Sequence, residues 1–309
     1  MVIVSVIFAF ILILKGGDLL VESSVWLAEK AKIPSIIVGA TVVALATTFP
    51  EISVSIISGM SGREAISVNT ALGSMISNFT LVLGFSFLIS PSVISNGKLK
   101  SKLIFYVCAL LLLTLLSIDQ KIGKFDAILL LLFFIAFLVF NIFDAKNSHV
   151  NETKDSLPSW LVTVLQFTIS ALAIGFGANV LVSSIDELSE IFGVSEGLLG
   201  VFIISVGTNI PEFVTTMSAI KMGNAEMGIG NIFGSSFIDA TLLISATALA
   251  KSGFVSIPIK LIILTMSLLF LIVIVVALPI IKKGRSSRGQ GACLIAIFLL
   301  YLVLLTQVA

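Results

Sequence analysis

Apolar runs of roughly 17 residues or more recur along the whole chain, each long enough to cross a hydrocarbon layer of about 30 Å as a helix. A soluble core could not hide them together, because 58% of the 309 residues are hydrophobic and only 11% are charged. Mean hydropathy is +1.18. The fold class is therefore an all-α integral membrane protein in a lipid bilayer, expected in the cell membrane as a multi-pass chain. A formal net charge of +1 gives no reason to expect nucleic acid, and no obligate protein partner is evident. The opening MVIVSVIFAFILILKGGD lacks a positive n-region and a small-residue cleavage site, so it reads as a first span. Cys108 and Cys293 sit in separate apolar runs and read as small packing residues, without a disulfide framework or metal motif. The single histidine, His149, reads as a solvated loop residue.

Ten transmembrane helices are expected, over roughly 2–26, 36–59, 66–90, 102–118, 124–143, 158–184, 197–220, 227–250, 257–281 and 289–308. With the N-terminus outside, cytoplasmic loops would hold Lys30, Lys32, Lys98, Lys100, Lys102, Lys146, Lys154, Lys221, Lys282, Lys283, Arg285 and Arg288. Outer loops would hold only Arg63, Lys121, Lys124, Lys251 and Lys260. The positive-inside rule then places both termini on the extracytoplasmic side and the 144–157 linker in the cytoplasm.

Shifting the sequence by 161 positions brings Gly39, Thr47, Pro50 and Glu51 onto Gly200, Thr208, Pro211 and Glu212. In the same register Gly73 and Ser74 meet Gly234 and Ser235, and Asn78 meets Asp239. The expected domains are a first five-helix repeat over 1–143, a short linker over 144–157 and a second repeat over 158–309. Five crossings is an odd number, so the second copy enters from the opposite face. Two inverted five-helix repeats are the plan of many secondary transporters, whose substrate site lies at the midplane between the halves.

Pro50 and Glu51 interrupt one apolar span, and Pro211 and Glu212 interrupt another. Within a helix, a proline leaves the carbonyl four residues earlier without its donor, here Ala46 and Gly207. A carboxylate at the bilayer centre costs at least about 3 kcal/mol on insertion scales. Bearing that cost twice at equivalent positions calls for a bound cation or proton. Thr47, Thr48, Thr208 and Asn209 lie within one turn of the glutamates. In the next span of each half, Ser74 and Asn78, or Ser235 and Asp239, are four apart and share a helix face. This donor set of carboxylates, hydroxyls, amides and carbonyls suits Ca²⁺, which takes about six to eight oxygen ligands. Asp18 and Glu22 read as interfacial, with Lys15 placed to pair with Asp18.

At these residues the sequence resembles the calcium/cation antiporter superfamily, which includes Na⁺/Ca²⁺ and H⁺/Ca²⁺ exchangers. Its two repeats typically read G-T-S-x-P-E, followed in the next helix by G-S-x-x-x-N or G-S-x-x-x-D. Here they read ATTFPE with GSMISN, and GTNIPE with GSSFID. The resemblance implies that Glu51 and Glu212 are the central Ca²⁺ carboxylates, shared with the counter-ion, and that carbonyls of Thr47 and Thr208 complete the shell. It implies that Thr48, Ser74, Asn209 and Ser235 line flanking cation positions, backed by carbonyls of Ala44 and Ser205, with Asn78 and Asp239 in the middle. The implied mechanism is alternating access, with the first and sixth helices sliding against the rest.

Two departures bear on the counter-ion. Ala46 and Thr48 stand where glycine and serine are usual, and Asn209 stands where serine is usual. H⁺/Ca²⁺ exchangers of the superfamily carry Asn at that spacing in G-N-x-x-E. Bulkier residues disturb the small oxygen cage that sodium needs, whereas a proton needs only a buried carboxylate able to take it up. The expectation is exchange of Ca²⁺ for H⁺, with Na⁺ as the alternative and a cation channel as a remote one. A hydrolase is excluded by the lack of any histidine in a span and of a cysteine near either glutamate, so no enzyme activity, catalytic residue or cofactor is expected.

Overall fold

The structure, a computed structural model, describes residues 2–91, 96–146, 158–183 and 209–308. His149, most of the 144–157 linker, Thr208, the carbonyls of Ser205 and Gly207, and the first part of the expected 197–220 span lie outside these residues. The described chain is almost entirely helical. In order it runs α1 (Val2–Ala31), α2 (Ser35–Thr47), α3 (Phe49–Met60), α4 (Glu64–Ile89), α5 (Asn96–Leu116), α6 (Lys124–Lys146), α7 (Trp160–Ser183), α8 (Ile210–Lys221), α9 (Ala225–Ala250), α10 (Ile259–Lys283) and α11 (Arg288–Val308). Among the described residues, eight helices are long and apolar enough to cross a membrane. A ninth span results if α2 and α3, bent by 50°, are taken as one.

Two helices differ from the rest in composition and burial. α4 and α9 are 78% and 83% buried over their most apolar windows, against 28% for α1 and α6. They carry the small and polar residues, while the outer helices turn Ile, Leu and Phe outward, as a lipid-facing surface requires. Glycine lets their backbones touch α2. A Cβ on Gly39 would lie 2.1 Å from the Met227 carbonyl oxygen, and one on Gly234 would lie 2.3 Å from that of Ala40. Aromatic packing ties this centre to α5 and α6, with Phe79 tilted against Tyr106 of α5 at 4.8 Å and Phe137 of α6 stacked on Phe237 at 4.2 Å.

α4 and α9 run in opposite directions. Lys251, just past the end of α9, pairs with Glu64 at the start of α4. Ser67 bonds Thr247, and halfway along Asn78 meets Asp239 at 3.4 Å. Their bounds stand 161 residues apart at both ends, as do those of α3 and α8. At the end where Glu64 lies, strands β1 (Lys121–Ile122) and β2 (Val255–Ser256) pair antiparallel and join two loops.

Two expectations need correcting. Lys102 is not a solvated loop charge: it is 1% exposed inside α5, bonded to Asn141 and 3.6 Å from Asp144. Cys108 and Cys293 are free and exposed on outer faces, where a small apolar side chain meets lipid instead of core. Separately, Asp18 also accepts a 2.6 Å hydrogen bond from Ser218 of α8.

Candidate cation site

The break in the second span falls at Thr48, two residues before the proline. Thr48 closes the last turn of α2 by donating its N–H to the Ala44 carbonyl at 2.9 Å, with φ −84° and ψ 0°. α3 then starts at Phe49, so Pro50 occupies the first turn of a new helix, where its missing N–H is not needed. The unsatisfied groups are therefore the final carbonyls of α2, a larger oxygen supply than the single Ala46 carbonyl a proline in a helix interior would free. Pro211 sits likewise in the first turn of α8, with Asn209 at the N-cap position. Glu51 and Glu212 each fall in a first helical turn, where the helix dipole favours a negative charge.

Both glutamates are buried, at 2% and 1% exposure. Among the described residues, neither carboxylate oxygen of Glu51 has a hydrogen-bond partner. Glu212 accepts a hydrogen bond through Oε1 from the Thr48 hydroxyl at 3.1 Å, and the hydroxyls of Thr47 and Ser235 also face its carboxylate. The Thr48 bond joins the two halves of the chain directly. Glu51 lies within electrostatic reach of Glu212 and Asp239.

α4 and α9 supply the facing wall. Asn78 donates through Nδ2 to Asp239 Oδ2, leaving Asn78 Oδ1 and Asp239 Oδ1 unpartnered. Both residues open a π-helical turn, Asn78–Val82 and Asp239–Leu243. Such bulges shift the backbone register and often occur at functional sites. Ser74 and Ser235, one turn earlier, are buried, and Ser235 faces the Glu212 carboxylate. Thr47, also buried, donates its hydroxyl to Asn231 Oδ1 or to the Ala44 carbonyl, both at 3.3 Å. Of the ten residues expected at the site, Glu51, Glu212, Thr47, Thr48, Asn78, Asn209, Asp239, Ser74 and Ser235 are all buried on the four central segments. Thr208 is the one outside the described residues.

Asn231 was not anticipated. It is fully buried on α9 and its Nδ2 reaches the Thr216 hydroxyl at 3.5 Å. Its counterpart 161 positions earlier is Thr70, which bonds only its own helix at Ile66. The only available signal was an amide inside an apolar run. Among the described residues no three Asp, Glu, His or Cys side chains converge on one point. A cation here would need hydroxyl, amide and carbonyl oxygens beside the two glutamates, which is oxygen chemistry throughout.

Residues 1–143 and 162–307 match the family described as sodium/calcium exchanger protein. The chain belongs to that family. It is a family of exchangers rather than enzymes, within the calcium/cation antiporter superfamily that the motifs resemble. The CaxA protein of Alkalimonas amylolytica is 28% identical, over 97% of this chain and 97% of its own. The inner membrane protein YrbG of Escherichia coli is 26% identical, over 97% and 95%. The sodium/calcium exchanger MaX1 of Methanosarcina acetivorans is 23% identical, over 96% and 95%. The fold is that of the sodium-calcium exchanger NCX_Mj, whose structure soaked with Na⁺ and Sr²⁺ matches with a TM-score of 0.85 at 24% identity, covering 98% of this chain and 99% of that one. This exchanger is thus a multi-span membrane protein of the calcium/cation exchange family.

Proposed function

We propose that the chain is a Ca²⁺/cation antiporter working by alternating access, with Ca²⁺ held between Glu51 and Glu212. The observation that carries this reading is the buried carboxylate of Glu51, neither oxygen of which has a hydrogen-bond partner among the described residues. A carboxylate so placed is stable only with a cation or a proton beside it. Thr48, Ser74, Asn209 and Ser235 line the flanking positions, Asn78 and Asp239 the centre, and main-chain carbonyls of Thr47 and Thr208 complete the shell. Two inverted five-helix repeats, 1–143 and 158–309 with 144–157 between them, make ten spans. Support comes from the opposed directions of α4 and α9 and from the shared offset of 161 in their bounds. Both termini are extracytoplasmic in this reading, following the loop charges.

The counter-ion is H⁺, on the strength of Asn209 at the entry to α8. Na⁺ is a second reading, favoured by the full-length likeness to relatives named sodium/calcium exchangers. Uptake of ⁴⁵Ca²⁺ into proteoliposomes separates them. An acidic lumen without Na⁺ should drive uptake, whereas an outward Na⁺ gradient at equal pH should not. Uptake driven only by Na⁺ would transfer the site to the second reading. Conduction of Ca²⁺ without any opposing gradient would make it a channel, and movement under neither gradient would end the calcium reading.

A further inference from the structure

At the membrane end opposite Glu64, the turn between α10 and α11 borders an open cleft of about 380 Å³. Its construction follows from Pro279. A proline in a helix interior leaves the carbonyl four residues earlier without its donor, here Val275. The Gln290 side chain takes over, donating Nε2 to the Val275 carbonyl at 3.1 Å and reaching that of Val276 at 3.4 Å. Gln290 is held in turn by Ser287, whose hydroxyl accepts the Gln290 N–H at 3.3 Å and bonds its Oε1 at 3.2 Å. Gly284, at φ 65°, ends α10 in the left-handed conformation that side chains resist. The start of α11 is thus fastened to the end of α10, and the cleft between them is built by these bonds.

Lys283, Arg285 and Arg288 line this cleft. Among the described residues no carboxylate forms an ion pair with any of them. Cations that only orient a helix in the membrane have no reason to converge on one cleft. All three are exposed and, among the described residues, unpaired with any carboxylate, so the turn presents an open basic surface to an anion, and two guanidinium groups offer the forked donors that match phosphate oxygens. The depth identifies the source. The cleft lies at the end of a 25-residue apolar helix, and Leu278 and Ile281 on its last turns are 49% and 45% exposed, as surface facing acyl chains would be. A soluble phosphate would leave that apolar surface unused.

We propose that this cleft seats the phosphate headgroup of an anionic phospholipid, with its acyl chains along Leu278 and Ile281. Basic pockets between membrane helices are a known means of holding such headgroups. The site is independent of the cation pathway, so its test does not depend on which ions are exchanged. Thermal unfolding of the full chain in neutral detergent, with phosphatidylglycerol, phosphatidylcholine or inorganic phosphate added, reads it out. Phosphatidylglycerol should raise Tm by about 3 °C over phosphatidylcholine, as a ligand binding only the folded state does. In Arg285→Gln/Arg288→Gln that difference should fall below about 1 °C. Should the double variant not purify, Lys283→Gln at an exposed position serves, with a smaller fall. Equal shifts for the two lipids, a full shift with millimolar inorganic phosphate alone, or an undiminished shift in the variants would overturn the proposal.

Discussion

α3 and α8 have the same length and carry a proline and a glutamate at matching positions, yet their surroundings differ. Along α8, Val214, Thr215, Thr216, Met217, Ser218 and Ala219 are all buried. On α3, Phe49, Ile57 and Met60 are 62%, 65% and 74% exposed. The difference lies in what α1 and α7 touch. α1 presses on α8: a Cβ on Gly17 would lie 2.4 Å from Val214 Cγ1, and Ser218 bonds Asp18. On α7, a Cβ added at Gly175 would lie at the ordinary contact distance of 3.7 Å from Pro50 Cγ of α3. α1 and α7 are meanwhile fastened to each other where Gly16 meets Ile174 and Gly177 meets Ile13, and where Gln166 bonds Glu22. One helix pair packed more closely on α8 than on α3 is an asymmetry of the kind the proposed alternating access calls for. Sliding the pair the other way would exchange the two environments without altering the site between them.

The sharpest way to break the equivalence of the two copies is at the glutamates. Glu51→Gln and Glu212→Gln should each reduce ⁴⁵Ca²⁺ uptake to background, a loss beyond the roughly 100-fold that removing an outer partner of a metal ligand costs. Unchanged elution of the variants on size exclusion would show that they fold. Retained uptake in either would remove that glutamate from the site and leave the two copies unequal in function.

Thr48→Val should come next. It takes away the hydroxyl that Glu212 accepts, and a hydrogen bond to a charged group is worth about 1.5–3 kcal/mol. Half-saturating Ca²⁺ should therefore rise by about tenfold or more, with maximal uptake less affected. An unchanged value would mean that Thr48 does not bridge the halves.

Much of this arrangement was legible beforehand, for a physical reason. Span length and the 161-residue register are one-dimensional properties, and a bilayer makes them obligatory. The Pro-Glu pairs were legible because both residues are costly in lipid. The position of the helix break was not, since Thr48 carries no breaking signal and a proline fits either a kinked interior or a first turn. Nor were the π-helical turns at Asn78 and Asp239, which depend on packing between α4 and α9 and leave no residue pattern. Lys102 read as a loop charge because its partners Asn141 and Asp144 come from another helix. Asn231 was missed for the same reason, and Thr70 at its equivalent position gave no hint of an amide pointing across the site.

Gly17→Ala against Gly175→Ala tests the asymmetry itself. At Gly17 the new methyl must displace Val214 or push α1 off α8, a repacking that costs about 1–3 kcal/mol. Transport should slow by roughly threefold to tenfold, and a cysteine placed at exposed Met60 should change its labelling rate as the populations shift. Gly175→Ala should alter uptake by less than about twofold, because its methyl meets Pro50 at ordinary contact distance. Equal effects at the two glycines would show that α1 and α7 stand symmetrically against the two motifs.

The smallest effect belongs where the copies meet end to end. Lys251 and Glu64 pair across the start of α4 and the end of α9, with side chains 20% and 17% exposed. A pair this accessible contributes about 0–1 kcal/mol, because water and salt screen it and two long side chains must be ordered to form it. Lys251→Gln should therefore lower Tm by no more than about 3 °C and leave uptake unchanged. The opposed packing of α4 and α9 rests instead on their buried midpoints and on glycine contacts to α2, which the variant does not touch. A larger fall in Tm, or a changed counter-ion dependence, would mean that this end of α9 moves with the transport cycle and that the four central segments are not the fixed frame against which α1 and α7 slide.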